Sequence, residues 1–189
     1  MAGFFLIGRI LGTTWALRWL LAASLFFYAQ WNLAHVPLLI GSMAANYTIG
    51  RRLLRTVHRR TWLMFGIALN LTVLGWFKYA DFLLHAVWPA APVLGIALPL
   101  AISFFTFQQI MFLVDTARGQ TAPPDVLPYT AFTAFFPHLI AGPIVRPAEV
   151  IPQLSDPALA HPRMQNLTEG LLIFLLGLGK KLVLADMFG

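Results

Sequence analysis

His138 is the residue of this chain best placed to do proton chemistry in an apolar setting. It lies in the run Tyr129-Thr-Ala-Phe-Thr-Ala-Phe-Phe-Pro-His-Leu-Ile-Ala-Gly-Pro-Ile-Val-Arg-Pro-Ala-Glu-Val-Ile-Pro-Gln-Leu154. An imidazole can take or give a proton near neutrality, and Arg146, further along the same run, supplies a fixed cation. Between them Gly142-Pro143 interrupts the apolar stretch. A helix that merely crosses a bilayer has no use for such a break, because the freed backbone groups need protein or a wet cavity as partners. A histidine at that depth is costly and points to a functional site by default. A kinked structural segment holding a hydrogen-bonded histidine fits the same residues. Gln108 and Gln109, in the preceding apolar run, are also expensive in lipid, and at least one of them is predicted to face a neighbouring helix or a cavity.

Other site chemistries find little material. The chain has no cysteine, so disulfides, thiol nucleophiles and cysteine metal sites are excluded. There is no Gly-x-Ser-x-Gly elbow, no His-Glu-x-x-His and no His-x-x-x-His, so neither a serine hydrolase nor a helical metal site is expected. His58 sits among arginines, while His35, His85 and His161 lie beside proline or tryptophan near expected interfaces. Asp115 and Arg118 bracket a helix end and read as local capping and charge pairing. The cluster Arg51, Arg52, Arg55, Arg59 and Arg60 would suit a phosphorylated cytosolic donor or anionic lipid headgroups. Topology alone accounts for it equally well.

The elements that must position these residues are membrane helices. Hydrophobic residues make up 59% of the chain and charged residues 11%, with a mean hydropathy of +0.74; a soluble domain carries roughly 25% charge. The net charge is +6, but seven of the thirteen basic residues fall in the first sixty positions beside apolar spans. That pattern fits the positive-inside rule better than nucleic-acid binding. No cleavable signal peptide is expected, since Arg9 lies inside the first apolar run rather than before it.

Leu17–Trp31 and Val36–Gly50 read as a helical hairpin turning at Gln30-Trp31-Asn32 and Pro37. Arginines at both ends place those ends in the cytoplasm. Thr61–Phe77 reads as a third span, followed by an interfacial patch at Asp81–His85. Val93–Val114 reads as a fourth apolar run and 116–128 as a polar loop containing Pro123-Pro124. Tyr129–Val145 is too broken for a plain crossing and is expected to be re-entrant. Residues 146–163 are expected to lie along the interface, and Leu167–Leu184 forms a last span ending near Asp186. No repeat or linker divides the chain, so residues 1–189 are read as a single membrane domain. The expected fold is an all-α, multi-span integral membrane bundle with short, tilted and re-entrant helices.

Several segments, taken in order, resemble the membrane-bound O-acyltransferase family in its bacterial alginate-acetylation branch. They are Ala22-Ala-Ser-Leu-Phe-Phe-Tyr-Ala-Gln-Trp-Asn32, Asn46-Tyr-Thr-Ile-Gly-Arg-Arg52, Leu74-Gly-Trp-Phe-Lys-Tyr-Ala-Asp81 and Leu98-Pro-Leu-Ala-Ile-Ser-Phe-Phe-Thr-Phe-Gln108. Val114-Asp115, Arg118-Gly119 and Gly177-Leu-Gly-Lys-Lys-Leu-Val-Leu-Ala-Asp186 continue the series. The most specific match is Phe135-Phe-Pro-His-Leu-Ile-Ala-Gly-Pro-Ile-Val-Arg146, with His138 where the family commonly has Gln. Trp76 and Asp81 stand where Tyr and Asn are usual, and the family's first span is represented only by the degenerate stretch Phe4–Leu17.

The resemblance implies acyl transfer across a membrane. A cytoplasmic acyl-coenzyme A, in the first instance acetyl-coenzyme A, would be the donor substrate, with no bound cofactor and no metal. The acceptor would be a hydroxyl of an extracytoplasmic polysaccharide such as alginate, reached through a partner acetyltransferase. The bilayer is the other expected partner, nucleic acid is not one, and the location is the bacterial inner membrane. In the family the catalytic histidine lies on a later helix whose blocks have no counterpart here. The chain therefore reads as the amino-terminal part of an acyltransferase, inactive alone, whether a fragment, a frameshifted frame or a deliberate truncation. Gln108, His138, Gly142, Pro143 and Arg146 are expected to serve the tunnel or its structure, with His138 as fallback base, and the arginine cluster marks the donor side. A transporter or flippase piece, or a non-catalytic scaffold for a partner acetyltransferase, are the competing functions.

Overall fold

The computed structural model describes residues 2–120, 125–160 and 164–185, and every regular element among them is helical. The degenerate amino-terminal stretch forms α1 (Ala2–Leu11) and the start of α2 (Thr13–Trp31), whose remainder is the first limb of the expected hairpin, and the two helices are separated at Gly12. Gly12 has φ +91°, a conformation that favours glycine and breaks the apolar run. Asn32 then goes extended, and its side chain accepts a hydrogen bond from the Ala34 amide at 2.9 Å, starting a short 3-10 turn, Leu33–His35. Helix α3 (Val36–Arg55) follows. Its Pro37 sits in the first turn, where a missing N–H costs nothing, and Arg52 and Arg55 in its last turn complement the helix dipole.

The two limbs of the expected hairpin are consecutive helices, but they pack mainly elsewhere. α2 lies on α1 and on α6 (Val126–Ala134), whereas α3 lies on α4 (Arg59–Val87) and α5 (Ile102–Ala117). The buried side of α3 runs Leu39, Met43, Asn46, Ile49, Gly50, Leu53, the three-and-four spacing of one helical face. Gly50 admits the Phe112 ring of α5, and Gly66 of α4 admits Leu113. Small residues let these helices approach closely.

Helix α4 is longer than the expected third span. It has 29 residues, about 44 Å at the α-helical rise, and continues through Asp81–His85 instead of ending before an interfacial patch. No proline follows Gly75 until Pro89, so nothing stops the helix earlier. His85 Nδ1 and the Asp81 carbonyl lie 2.7 Å apart, and Asp81 Oδ1 accepts from the Leu94 amide at 2.7 Å, tying the next segment to the helix end. α4 is the one helix among the described residues long and apolar enough to cross a membrane, and α5 is a shorter apolar helix. The expected fourth run is helical only from Ile102, since Pro92, Gly95 and Pro99 keep its first part irregular.

The broken segment forms α6, then α7 (Phe136–Ala141), an extended stretch at 142–146, and α8 (Pro147–Leu154). α9 (Met164–Lys180) runs into a π turn, Lys181–Ala185, and has no buried residue. The expectations for Pro123-Pro124, His161, Arg163 and Asp186 fall outside the described residues.

Candidate functional site

Helix α5 is the wall on which the site is built. Thr106, Gln108, Gln109 and Asp115 are all buried, although each carries groups that an apolar setting penalises. Three of them find partners in the broken segment. Gln109 Oε1 accepts from the Tyr129 hydroxyl of α6 at 2.5 Å, and that hydroxyl also lies 3.2 Å from the Met43 carbonyl of α3. Gln108 Nε2 and His138 Nε2 of α7 are 2.9 Å apart. Asp115 Oδ1 receives Arg146 Nη2 at 3.1 Å, and the same Nη2 donates to Gln120 Oε1 at 3.0 Å.

The geometry at His138 is specific. Its ring is packed among Phe104, Phe132 and Phe135 at centroid distances of 5.6, 5.4 and 5.2 Å. The tautomer that lets Nε2 accept from the Gln108 amide carries its proton on Nδ1. Gln108 Oε1 is then left buried without a partner, an acceptor available to a hydroxyl or a water. Among the described residues His138 is also the one polar side chain lining an apolar cavity of about 480 Å³ between α1, α2 and the broken segment, with Phe4, Leu20, Phe132, Phe135 and Leu154 among its walls.

Gly142 holds the break in place. Its amide bonds the His138 carbonyl at 3.1 Å and its backbone then turns extended. A Cβ there would collide with the Cα and Cβ of His138. Pro143 follows and cannot continue the helix.

Asp115 was expected to pair locally with Arg118. Instead it pairs across 31 residues with Arg146, while Arg118 caps α5 through its backbone amide with its side chain exposed. The arginine cluster divides as well. Arg51, Arg52 and Arg55 line a concavity of about 290 Å³ with Thr56 and Trp62; Arg59 and Arg60 do not line it. Among the other histidines, His35 is buried at the start of α3 against the edge of Phe77, with Nδ1 lacking a partner, while His58 is exposed.

One polar feature was missed from sequence. Asn46 of α3 and Asn70 of α4 exchange two side-chain hydrogen bonds, at 2.6 and 3.2 Å, in the bundle interior. Each amide also donates to the carbonyl four residues earlier. The signal was available: both are amides in apolar helices, open to the argument applied to Gln108 and Gln109. No group of three His, Asp or Glu side chains able to hold a metal occurs among the described residues.

The chain is 40% identical, over 89% of its length, to a peptidoglycan O-acetyltransferase of Helicobacter pylori. It is 35% and 36% identical, over 88% of its length, to the proteins named alginate O-acetylase in Pseudomonas syringae and Pseudomonas aeruginosa. The residue blocks and these relatives agree on a resemblance to the membrane-bound O-acyltransferase family. The chain spans 38% of the length of the first of these relatives and 34% of each of the other two. No family model and no solved structure matches it. The family resemblance drawn from the residue blocks is borne out by these relatives.

Proposed function

We propose that this chain is part of a membrane-embedded O-acetyltransferase. It passes an acetyl group from a cytoplasmic acyl-coenzyme A to hydroxyls of an extracytoplasmic polysaccharide, alginate or peptidoglycan in type. The observation that carries this is the agreement of the relatives: their names differ in the acceptor polymer but share the O-acetyl transfer. On this reading the chain is a multi-pass bundle in a bacterial inner membrane, and the acetyl group reaches the polymer through a partner acetyltransferase.

Two physical features support the membrane setting. Helix α4 buries only Gly66, Asn70 and Leu74 while Met64, Phe65, Leu71, Trp76, Phe82 and Leu83 are exposed, an apolar surface that water would oppose and lipid would accept. The broken segment meets α5 at Gln109 and Gln108 and, after the break, again at Asp115, an arrangement that supports a re-entrant reading in a bilayer. His138 then lies about 10 Å along α5 from the Asp115–Arg146 pair.

The transfer needs a general base on the acceptor hydroxyl. Family resemblance assigns that base to a histidine in a block this chain does not match. His138, which stands where relatives commonly carry Gln and has Nε2 occupied by Gln108, serves as a hydrogen-bonding wall. The test is acetyl transfer from labelled acetyl-coenzyme A in membranes holding this chain alone, and the chain joined to the remaining family blocks. Transfer only in the joined form, retained by His138→Gln, is expected. No transfer in the joined form refutes the proposal, and activity of the chain alone that His138→Gln abolishes makes His138 the base.

A further inference from the structure

We propose that the concavity between the end of α3 and the start of α4 is a binding site for a phosphate oxyanion. All seven basic residues in the first sixty positions are arginine and none is lysine. Topology needs only positive charge, which lysine supplies as well. Three of these arginines, Arg51, Arg52 and Arg55, converge on one pocket of about 290 Å³ with the Thr56 side chain and the Trp62 ring. The ion pair found among the described residues, Asp115–Arg146, is elsewhere, so no described carboxylate neutralises the three guanidinium groups.

Two of the three lie over aromatic rings. The Arg52 guanidinium lies 4.6 Å from the Trp62 ring centroid, and that of Arg51 lies 5.9 Å from the Tyr47 ring. A cation–π contact restrains a guanidinium without using its N–H groups, which stay available to donate. Arginines arranged this way match the paired oxygens of a phosphate, bidentate and charge-assisted. The pocket is also open to solvent at its arginine rim, since all three are exposed. The phosphate can belong to an anionic phospholipid headgroup or to a soluble nucleotide. The site does not depend on the acyl-transfer proposal, because its geometry involves none of the residues around His138.

The test uses the whole chain in nanodiscs. In phosphatidylcholine mixed with phosphatidylglycerol, lipid retained through purification is identified by mass spectrometry. In phosphatidylcholine alone, ADP is titrated by calorimetry. The variant R51K/R52K/R55K keeps the charge, and with it the topology, but loses the planar forks; R59K/R60K is the control for diffuse charge. Selective retention of phosphatidylglycerol, or saturable ADP binding, that weakens roughly tenfold in the triple lysine variant and not in the control is expected. The first result names a lipid as the source and the second a soluble phosphate. Failure of both probes, or equal binding by the triple lysine variant, or an equal fall in R59K/R60K, overturns the site.

Discussion

Removing Arg146 should destabilise the chain more than removing the charge of its partner, Asp115. The Asp115 side chain is 3% exposed, and its Oδ2 has no hydrogen-bond partner, whereas the Arg146 side chain is 48% exposed. The two ends of one ion pair therefore sit in different media. Arg146→Ala strands a carboxylate in the interior. Breaking a fully buried pair in this way costs about 3–5 kcal/mol. Here the guanidinium is half in solvent, which screens the pair, so about 2–3 kcal/mol is expected. Asp115→Asn keeps the shape of the side chain and returns Arg146 to solvent, where its bond to Gln120 persists; about 1 kcal/mol is expected. The double variant should cost about as much as Asp115→Asn alone, giving a coupling of roughly 2–3 kcal/mol. Unfolding of the four proteins by denaturing detergent, titrated from mixed micelles, reads these differences. Equal losses for the two single variants, or simple additivity, would refute the burial asymmetry on which the expectation rests.

Three further outcomes follow from close contacts. Gly142→Ala brings a Cβ onto the backbone of His138 and should cost about 1–3 kcal/mol. Gly66→Ala meets the end of the Leu113 side chain and, less closely, that of Ile49, side-chain atoms rather than backbone, and should cost less; thermal shifts read both variants. His138→Ala empties the space among three phenylalanines and leaves the Gln108 amide unpaired, for about 2–4 kcal/mol; His138→Gln should lose about 1 kcal/mol or less, and the ranking is read from melting temperatures. Asn46→Ala and Asn70→Ala should each cost about 1–3 kcal/mol, with a double variant well below their sum, and additive losses in a denaturation cycle would sink the reciprocal pairing.

Local chemistry was legible in the sequence wherever one residue decides the backbone. Asn32 and Pro37 mark the passage from α2 to α3, and Gly142-Pro143 ends α7. Arg52 and Arg55 mark the end of α3. What was not legible is the choice of partner between distant segments. Asp115 has Arg118 three residues away, a spacing that suits a helical charge pair, yet the carboxylate faces the bundle and Arg146 reaches it from 31 residues on. The length of α4 was misjudged for a related reason. Lys78 and Asp81 look like the end of an apolar span, but charge ends hydrophobicity, not hydrogen bonding, and the helix continues until Trp88. Asn46 and Asn70 could each have been marked as polar groups in apolar helices, as Gln108 and Gln109 were, but only the α3–α4 packing makes them mutual.

The oddities of α5 and of the broken segment account for one another. A straight helix from Tyr129 to Arg146 would separate those residues by about 26 Å. Their partners on α5, Gln109 and Asp115, are only six positions apart, about 9 Å along the axis. The chain must therefore turn back, and the turn has to fall where a helix can be stopped, at Phe135 and again at Gly142-Pro143. Between those breaks the one side chain able to meet Gln108 is His138. The polar residues of α5 would be stranded by a plain crossing, and the polar residues of the broken segment would be stranded without α5. The position of the segment along α5 is consequently set by the register of three side-chain pairs rather than by its hydropathy, which is why hydropathy alone shows the break but not where it leads.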